Sequence, residues 1–197
     1  MAAGDSPVSI CNIALIALGE DPIVSLSDNT KRAILCNARY DDVRRAVLRS
    51  QPWNSARKQV QLAASTTSPL FNYDNAYPLP NDFIRMYGLD TDLEESIYDI
   101  MADPASGKLT LYTDEGAPLN VTYIYDLQDC TQMDPLLVHT IGYQLAGELA
   151  LPLTQSSERA QQVLNVMAAK LQIARMVDSQ DNAPREWDTD ILLRSRR

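Results

Sequence analysis

Apolar side chains recur along this chain at two different periods, and the change of period divides it. Val8, Cys11, Leu15 and Leu18 are spaced by three and four, which places them on one face of a helix. Ser6-Pro7 in front supplies a cap and a proline at the first helical position, and Gly19 behind supplies a C-terminal stop. Ala33, Cys36, Tyr40, Val43 and Val47 repeat the pattern in a second helix. Ser27 or Asp28 is its expected cap, and Pro52 forbids its continuation, with Trp53 directly behind as a packing anchor. This stretch, Asp28 to Asn54, reads as the central helix of a small domain. After Asp134-Pro135, Leu137, Ile141, Leu145 and Leu149 step by four toward Pro152, which is expected to end a third helix. Ala160, Leu164, Met167, Leu171 and Ala174 mark a fourth, capped by Ser156; the short link predicts that the last two helices lie antiparallel.

Between these halves the helical period disappears. Ser65 to Pro80 is rich in Ser, Thr, Asn, Pro and Tyr and reads as loop. Phe83–Tyr87, Ser96–Ile100, Lys108–Thr113 and Leu119–Tyr125 carry the β-branched and aromatic residues of strands. Asp114 to Pro118 offers turn chemistry for a hairpin between the last two. The expected fold class is therefore α+β: an antiparallel helical bundle of about four helices, with an inserted small antiparallel β-region and an extended C-terminal arm. Its expected divisions are residues 1–64 and 134–179 for the two helical halves, 65–133 for the β-rich insertion and 180–197 for the arm. The arm has too little apolar surface to fold alone. Its Trp187, the triplet Ile191, Leu192 and Leu193, and the arginines Arg194, Arg196 and Arg197 are the residue types that dominate interface energetics, so it reads as a docking device.

Composition narrows the picture. No apolar run approaches the ~20 residues that a membrane span requires, and the N-terminus lacks the basic start of a signal peptide. Three widely spaced cysteines, Cys11, Cys36 and Cys130, point to reduced thiols and not to a disulfide framework. The net charge of −9 disfavours wrapping of nucleic acid through phosphate contacts. The charge is also unevenly spread. From Lys31 to Val60 there are eight basic residues against two acidic; from Ser65 to Pro135 there are two basic residues, Arg85 and Lys108, against thirteen acidic. In the second helix Arg44, Arg45 and Arg49 complement the carbonyl end of the dipole, whereas Lys31 and Arg32 oppose it at the other end.

Catalytic chemistry finds no footing in the residues. His139 is the single histidine, and neither a nucleophile elbow nor a cysteine signature accompanies it. No cysteine or histidine pair has zinc spacing, no acidic pair sits in a calcium loop, and the seven glycines form no phosphate-binding loop. The expectation is no catalytic residue, no metal and no cofactor.

One resemblance gives the chain a function. Cys11-Asn12 with Ala14-Leu15 and Leu18-Gly19, then Cys36-Asn37, Tyr40, Val43-Arg44, Val47-Leu48-Arg49 and Pro52-Trp53 form an ordered series. Tyr77-Pro78-Leu79-Pro80-Asn81-Asp82-Phe83-Ile84-Arg85, Val121-Thr122-Tyr123 and Leu145-Ala146 to Leu149-Ala150 continue it over nearly the full chain. In this order they resemble the tail tubular protein A family, the head-to-tail adaptors of short-tailed bacteriophages. The resemblance implies a structural virion protein and not an enzyme, assembled in the host cytoplasm and resident at the head–tail interface. It implies a ring, usually of twelve copies, between the portal protein and a tail nozzle protein similar to tail tubular protein B, with DNA only in passage. It further implies that the C-terminal arm grips the portal, and it makes Arg32, Arg39, Arg45 and Arg49 the first candidates for contacts between subunits. Acidic residues lining such a channel would repel phosphates and let DNA slide. A tail-associated hydrolase acting on host surface polysaccharide or peptidoglycan is the alternative from another class; a cytosolic interaction module is a third.

Overall fold

The computed structural model of the chain describes residues 6–89, 97–104, 106–155 and 157–180. Helix α1, Pro7–Leu18, starts at a capping box in which Ser6 accepts from the Ser9 N–H and Ser9 accepts in return from the Ser6 N–H. It stops at Gly19, whose φ of 75° lies in the left-handed region that glycine enters without cost. Helix α2, Lys31–Ser50, is capped by Thr30 and not by Ser27 or Asp28. Asp28 instead accepts from the Val24 and Ser25 N–H groups, closing the turn that precedes the helix. Helix α3, Pro135–Thr154, begins at an Asp134 cap and runs two residues beyond Pro152. Helix α4 spans Ser157–Gln180; its expected cap Ser156 lies outside the described residues.

The hub of the helical layer is α3, not the Asp28–Asn54 stretch. Helix α3 packs against α1, α2 and α4, while α1 and α2 touch each other little. Gly142 lets α1 lie close against α3: a Cβ there would come within 2.7 Å of the Ile13 Cγ2. The helical core gathers Leu15, Leu18, Leu48, Leu137, Ile141 and Leu145, all fully buried, with Trp53 beneath the end of α2. The Trp53 Nε1–H donates to the Val47 carbonyl at 3.1 Å, so Pro52-Trp53 both stops the helix and locks its last turn.

The β part corrects the expected bundle with a small insertion. Six strands form two antiparallel three-stranded sheets: β1 (Arg57–Leu62), β6 (Leu119–Tyr125) and β3 (Phe83–Leu89) in that order, and β2 (Asn75–Pro78), β5 (Leu109–Thr113) and β4 (Tyr98–Ala102) in that order. They enclose a second core of Leu62, Tyr77, Met86, Leu111, Val121 and Tyr123. The fold is thus α+β in general, a helical layer joined to a two-sheet β layer with its own interior, and not a bundle carrying a minor hairpin. Two errors of reading account for the difference. β1 lies in a basic stretch that reads as part of the helical half, and β2 lies in a segment whose prolines and asparagines read as loop. The expected hairpin also fails: β5 and β6 belong to different sheets, and residues 114–118 carry the chain from one sheet to the other. Leu111 of β5 and Leu119, Val121 and Tyr123 of β6 meet in that second core, and packing faces against each other buries more apolar surface than pairing edges would.

The two layers meet at the end of β6. Val121 and Tyr123 belong to the β core, whereas Ile124 and Leu127 belong to the helical core.

Candidate interaction surfaces

The basic flank of α2 is largely engaged within the chain. Arg32 pairs with Asp21 at 2.8 Å, and Arg39 grips Glu148 of α3 through Nε and Nη2 at 2.8 and 2.6 Å. Arg45 reaches Asp126 at 3.0 Å, and Arg49 donates to the Ile84 carbonyl of β3 at 2.6 Å. The four candidate subunit contacts therefore serve first to fix α2 to its neighbours. They do not gather into one patch: Arg32 faces the turn after α1, Arg39 faces α3, and only Arg45 and Arg49 reach the β layer. Their pairs are at least partly exposed, where each is worth little to stability on its own.

Arg44 is different, and the sequence reading passed over it as one of three helix-end cations. It is 2% exposed and donates to the Asp126 carboxylate and, at 2.9 Å, to the Leu127 carbonyl, with Asp41 at 3.3 Å. Burial pushes the Asp126 carboxyl up, but the hydrogen bond and charge of Arg44, with Gln128 and Arg45 beyond, outweigh it and hold the group below the usual carboxylate range. The position was legible in principle. Residue 44 lies four after Tyr40 and three before Val47, inside the apolar stripe.

A second polar anchor lies beside it. Asp82 accepts from the Tyr123 hydroxyl at 2.9 Å and from Lys58 Nζ at 2.7 Å, and Lys58 also sits over the Tyr125 ring. Desolvation opposes its ionisation, but Lys58 and Tyr123 together leave it below the usual range. Arg85 donates to the Arg49 carbonyl, and Arg57 stacks over Tyr87. The junction of α2 with β1 and β3 thus collects six cations, Arg44, Arg45, Arg49, Arg57, Lys58 and Arg85, against three carboxylates, Asp41, Asp82 and Asp126.

The opposite end of the β layer has the reverse character. β6 runs from Leu119 toward the Arg44-bound Asp126, so Leu119 marks the end away from the helices, about 20 Å distant at the usual rise per residue. Residues 114–118 join it to Thr113, opposite Asn75 and Tyr98. The Asp74 N–H donates to Asp114, Tyr73 to Asp99, and Thr113 to the Ile97 carbonyl, tying the loop before β2 to β4 and β5. Leu70, Phe71 and Ile97 are 82%, 72% and 76% exposed on this tip. No Lys or Arg occurs in residues 65–77, 97–102 or 109–119, which build it.

The remaining candidates divide between structural and undescribed. His139 is exposed on α3. Cys11, Cys36 and Cys130 are buried and unbridged, with the Tyr40 hydroxyl hydrogen-bonded to Cys130 at 3.3 Å. Hydrogen bonding to Cys36, then burial, push the Cys11 thiol well up. Among the described residues no group of three or more His, Cys, Asp or Glu is placed to hold a metal ion, and no helix is long and apolar enough to cross a membrane. Trp187, Ile191, Leu192, Leu193, Arg194, Arg196 and Arg197 of the expected docking arm lie outside the described residues. No protein-family model matches the chain, and no curated protein matches it.

Proposed function

We propose that this chain is a structural adaptor of a short-tailed phage virion: a ring seated on the portal protein, joined on its other side to a tail nozzle protein, with DNA passing through. Binding is its whole function, its place is the head–tail interface, and the arm bearing Trp187 and Ile191 to Leu193 is its grip on the portal. The observation that carries this reading is the ordered series of sequence elements resembling tail tubular protein A. The work those residues do in this chain supports it. Asn12 exchanges two hydrogen bonds with the Ile23 backbone, Tyr40 meets Cys130, Trp53 locks α2, and Asp82 clamps Lys58 and Tyr123. Each landmark holds the scaffold together, as the landmarks of a binding protein do.

The test is to mix the purified protein with portal assemblies and image the product by electron microscopy. A ring added at the portal's exit face is the expected result. A chain that ignores portals and cleaves polysaccharide overturns the proposal in favour of the hydrolase. Removing residues 183–197 should abolish attachment and leave the remaining chain folded; attachment that persists refutes the role of the arm.

A further inference from the structure

We propose that the acidic tip of the β layer is a self-association surface and that it seats on the basic helix–sheet junction of a second copy of this chain. This rests on the adaptor reading only for its setting; the surfaces themselves are drawn from the fold. Leu70 and Phe71, adjacent in the chain, and Ile97 are exposed on a tip braced by the Tyr73–Asp99 and Asp74–Asp114 hydrogen bonds. Neighbouring exposed apolar side chains on a braced element mark a contact site more often than isolated ones do. Asp74, Asp99, Asp114 and Glu115 belong to the same segments, which contain no Lys or Arg. A matching surface exists on the same molecule. At the junction Arg49 and Arg85 donate to main-chain carbonyls, and among the described residues their charges meet no carboxylate partner. The partner of complementary charge is thus the chain itself.

The two surfaces differ and lie at opposite ends of the β layer. Their contact is head-to-tail, the kind that closes into a ring or continues as a filament, and not a two-fold dimer. Unlike charges meeting in this way also set the direction of addition, since tip on tip and junction on junction both repel.

Charge exchange tests this. Asp74→Lys, Asp99→Lys and Asp114→Lys together reverse the tip; Arg49→Glu with Arg85→Glu reverses the junction and, among the described residues, leaves no carboxylate unpaired. Leu70→Ser with Phe71→Ser removes the apolar contact at positions too exposed to affect folding. Circular dichroism and melting confirm that each variant is folded. In sedimentation, the wild-type chain should associate with a constant that falls about tenfold or more as salt is raised to several times physiological strength. Each reversed variant should stay monomeric, and the chain carrying both reversals should associate again. A wild-type chain that stays monomeric up to about millimolar concentration overturns the inference, as does a doubly reversed, folded chain that fails to recover. On portal assemblies the readings separate. Rings of the tip variant that match wild type sink the tip contact and leave the adaptor standing. Wild-type chains that associate by this contact yet form no ring on portals sink the adaptor and leave the contact.

Discussion

Replacing Arg44 by methionine removes a buried cation while nearly keeping the volume of its stem. The Asp126 carboxylate, about one-tenth exposed, loses its principal partner and keeps Arg45, which is 61% exposed, and a 3.3 Å hydrogen bond from Gln128. The Leu127 carbonyl loses its donor in the same step. A charge-assisted hydrogen bond contributes about 1.5–3 kcal/mol, and leaving a buried carbonyl without a partner costs about 1–3 kcal/mol. Together they predict a loss of about 2.5–6 kcal/mol, which brackets the loss of about 3–5 kcal/mol seen when one partner of a buried pair is deleted. Urea unfolding measures it as a lower midpoint at unchanged slope. Acidity gives an independent handle. The folded-state pKa of Asp126 lies below its unfolded value, so the stabilisation is present above the unfolded pKa, about 3.9, and is lost as pH falls through the folded one. Wild type should therefore lose stability below about pH 4, and Arg44→Met should show a flatter loss there. A deficit under about 1 kcal/mol at neutral pH, or an unchanged acid limb, would show that Arg45 and Gln128 satisfy Asp126 without Arg44.

Two further outcomes follow from the helical layer. Gly142→Ala sets a methyl group 2.7 Å from Ile13 Cγ2, and since the Ile13 Cβ is itself only 3.0 Å away, α1 must shift; the expected cost is about 1–3 kcal/mol, read as a lowered melting temperature, and an unchanged melting point would mean that the α1–α3 contact is looser than described. The three cysteines should resist alkylation at neutral pH in the native protein and all react in denaturing urea, because each is buried and Cys11 is pushed well away from its thiolate; a thiol that reacts as fast native as unfolded would place that cysteine at the surface.

How far the sequence revealed this fold depended on whether the signal was local. The start and stop of α1 followed from Ser6, Pro7 and Gly19, because a cap and a left-handed terminus are decided within one turn of chain. β6 was read to its residues, since Leu119, Val121 and Tyr123 alternate without interruption. What failed was pairing. Whether Thr113 and Leu119 flank a hairpin or a crossing between sheets depends on which apolar faces meet, and Leu111 and Val121 meet across the β core. β2 escaped because Asn75 and Pro78 are turn residues by composition, yet four residues beside β5 were enough to hold it. The same limit applied to the site. Helical periodicity placed Arg39 and Arg49 on the outside of α2, but their partners, Glu148 and the Ile84 carbonyl, lie 109 and 35 residues away in the chain. The tip left one local trace, the apolar pair Leu70-Phe71 inside residues 65–75, otherwise made of Ser, Thr, Pro, Asn, Tyr and Asp.

The charge asymmetry seen along the chain changes its meaning once these partners are known. Read linearly, a basic helical half stands beside an acidic middle, and α2 is the natural basic face. In the folded chain that face is mostly spent: Arg32 and Arg39 meet carboxylates, and Arg44 is buried on one. The excess that survives lies where α2 abuts β1 and β3, because Arg49 and Arg85 bond main-chain oxygens and so keep their full charge. The acidic excess is likewise divided, for Asp82 and Asp126 are consumed at this same junction, while Asp74, Asp99 and Asp114 lie at the far tip. Folding thus turns a difference between two stretches of sequence into a separation of about 20 Å along one β layer. A charge separation of that length reports on assembly: it should orient each incoming copy before contact, so the association rate should fall more steeply with salt than the dissociation rate rises. Equal salt dependence of the two rates would show that the apolar tip, and not the charge, directs the encounter.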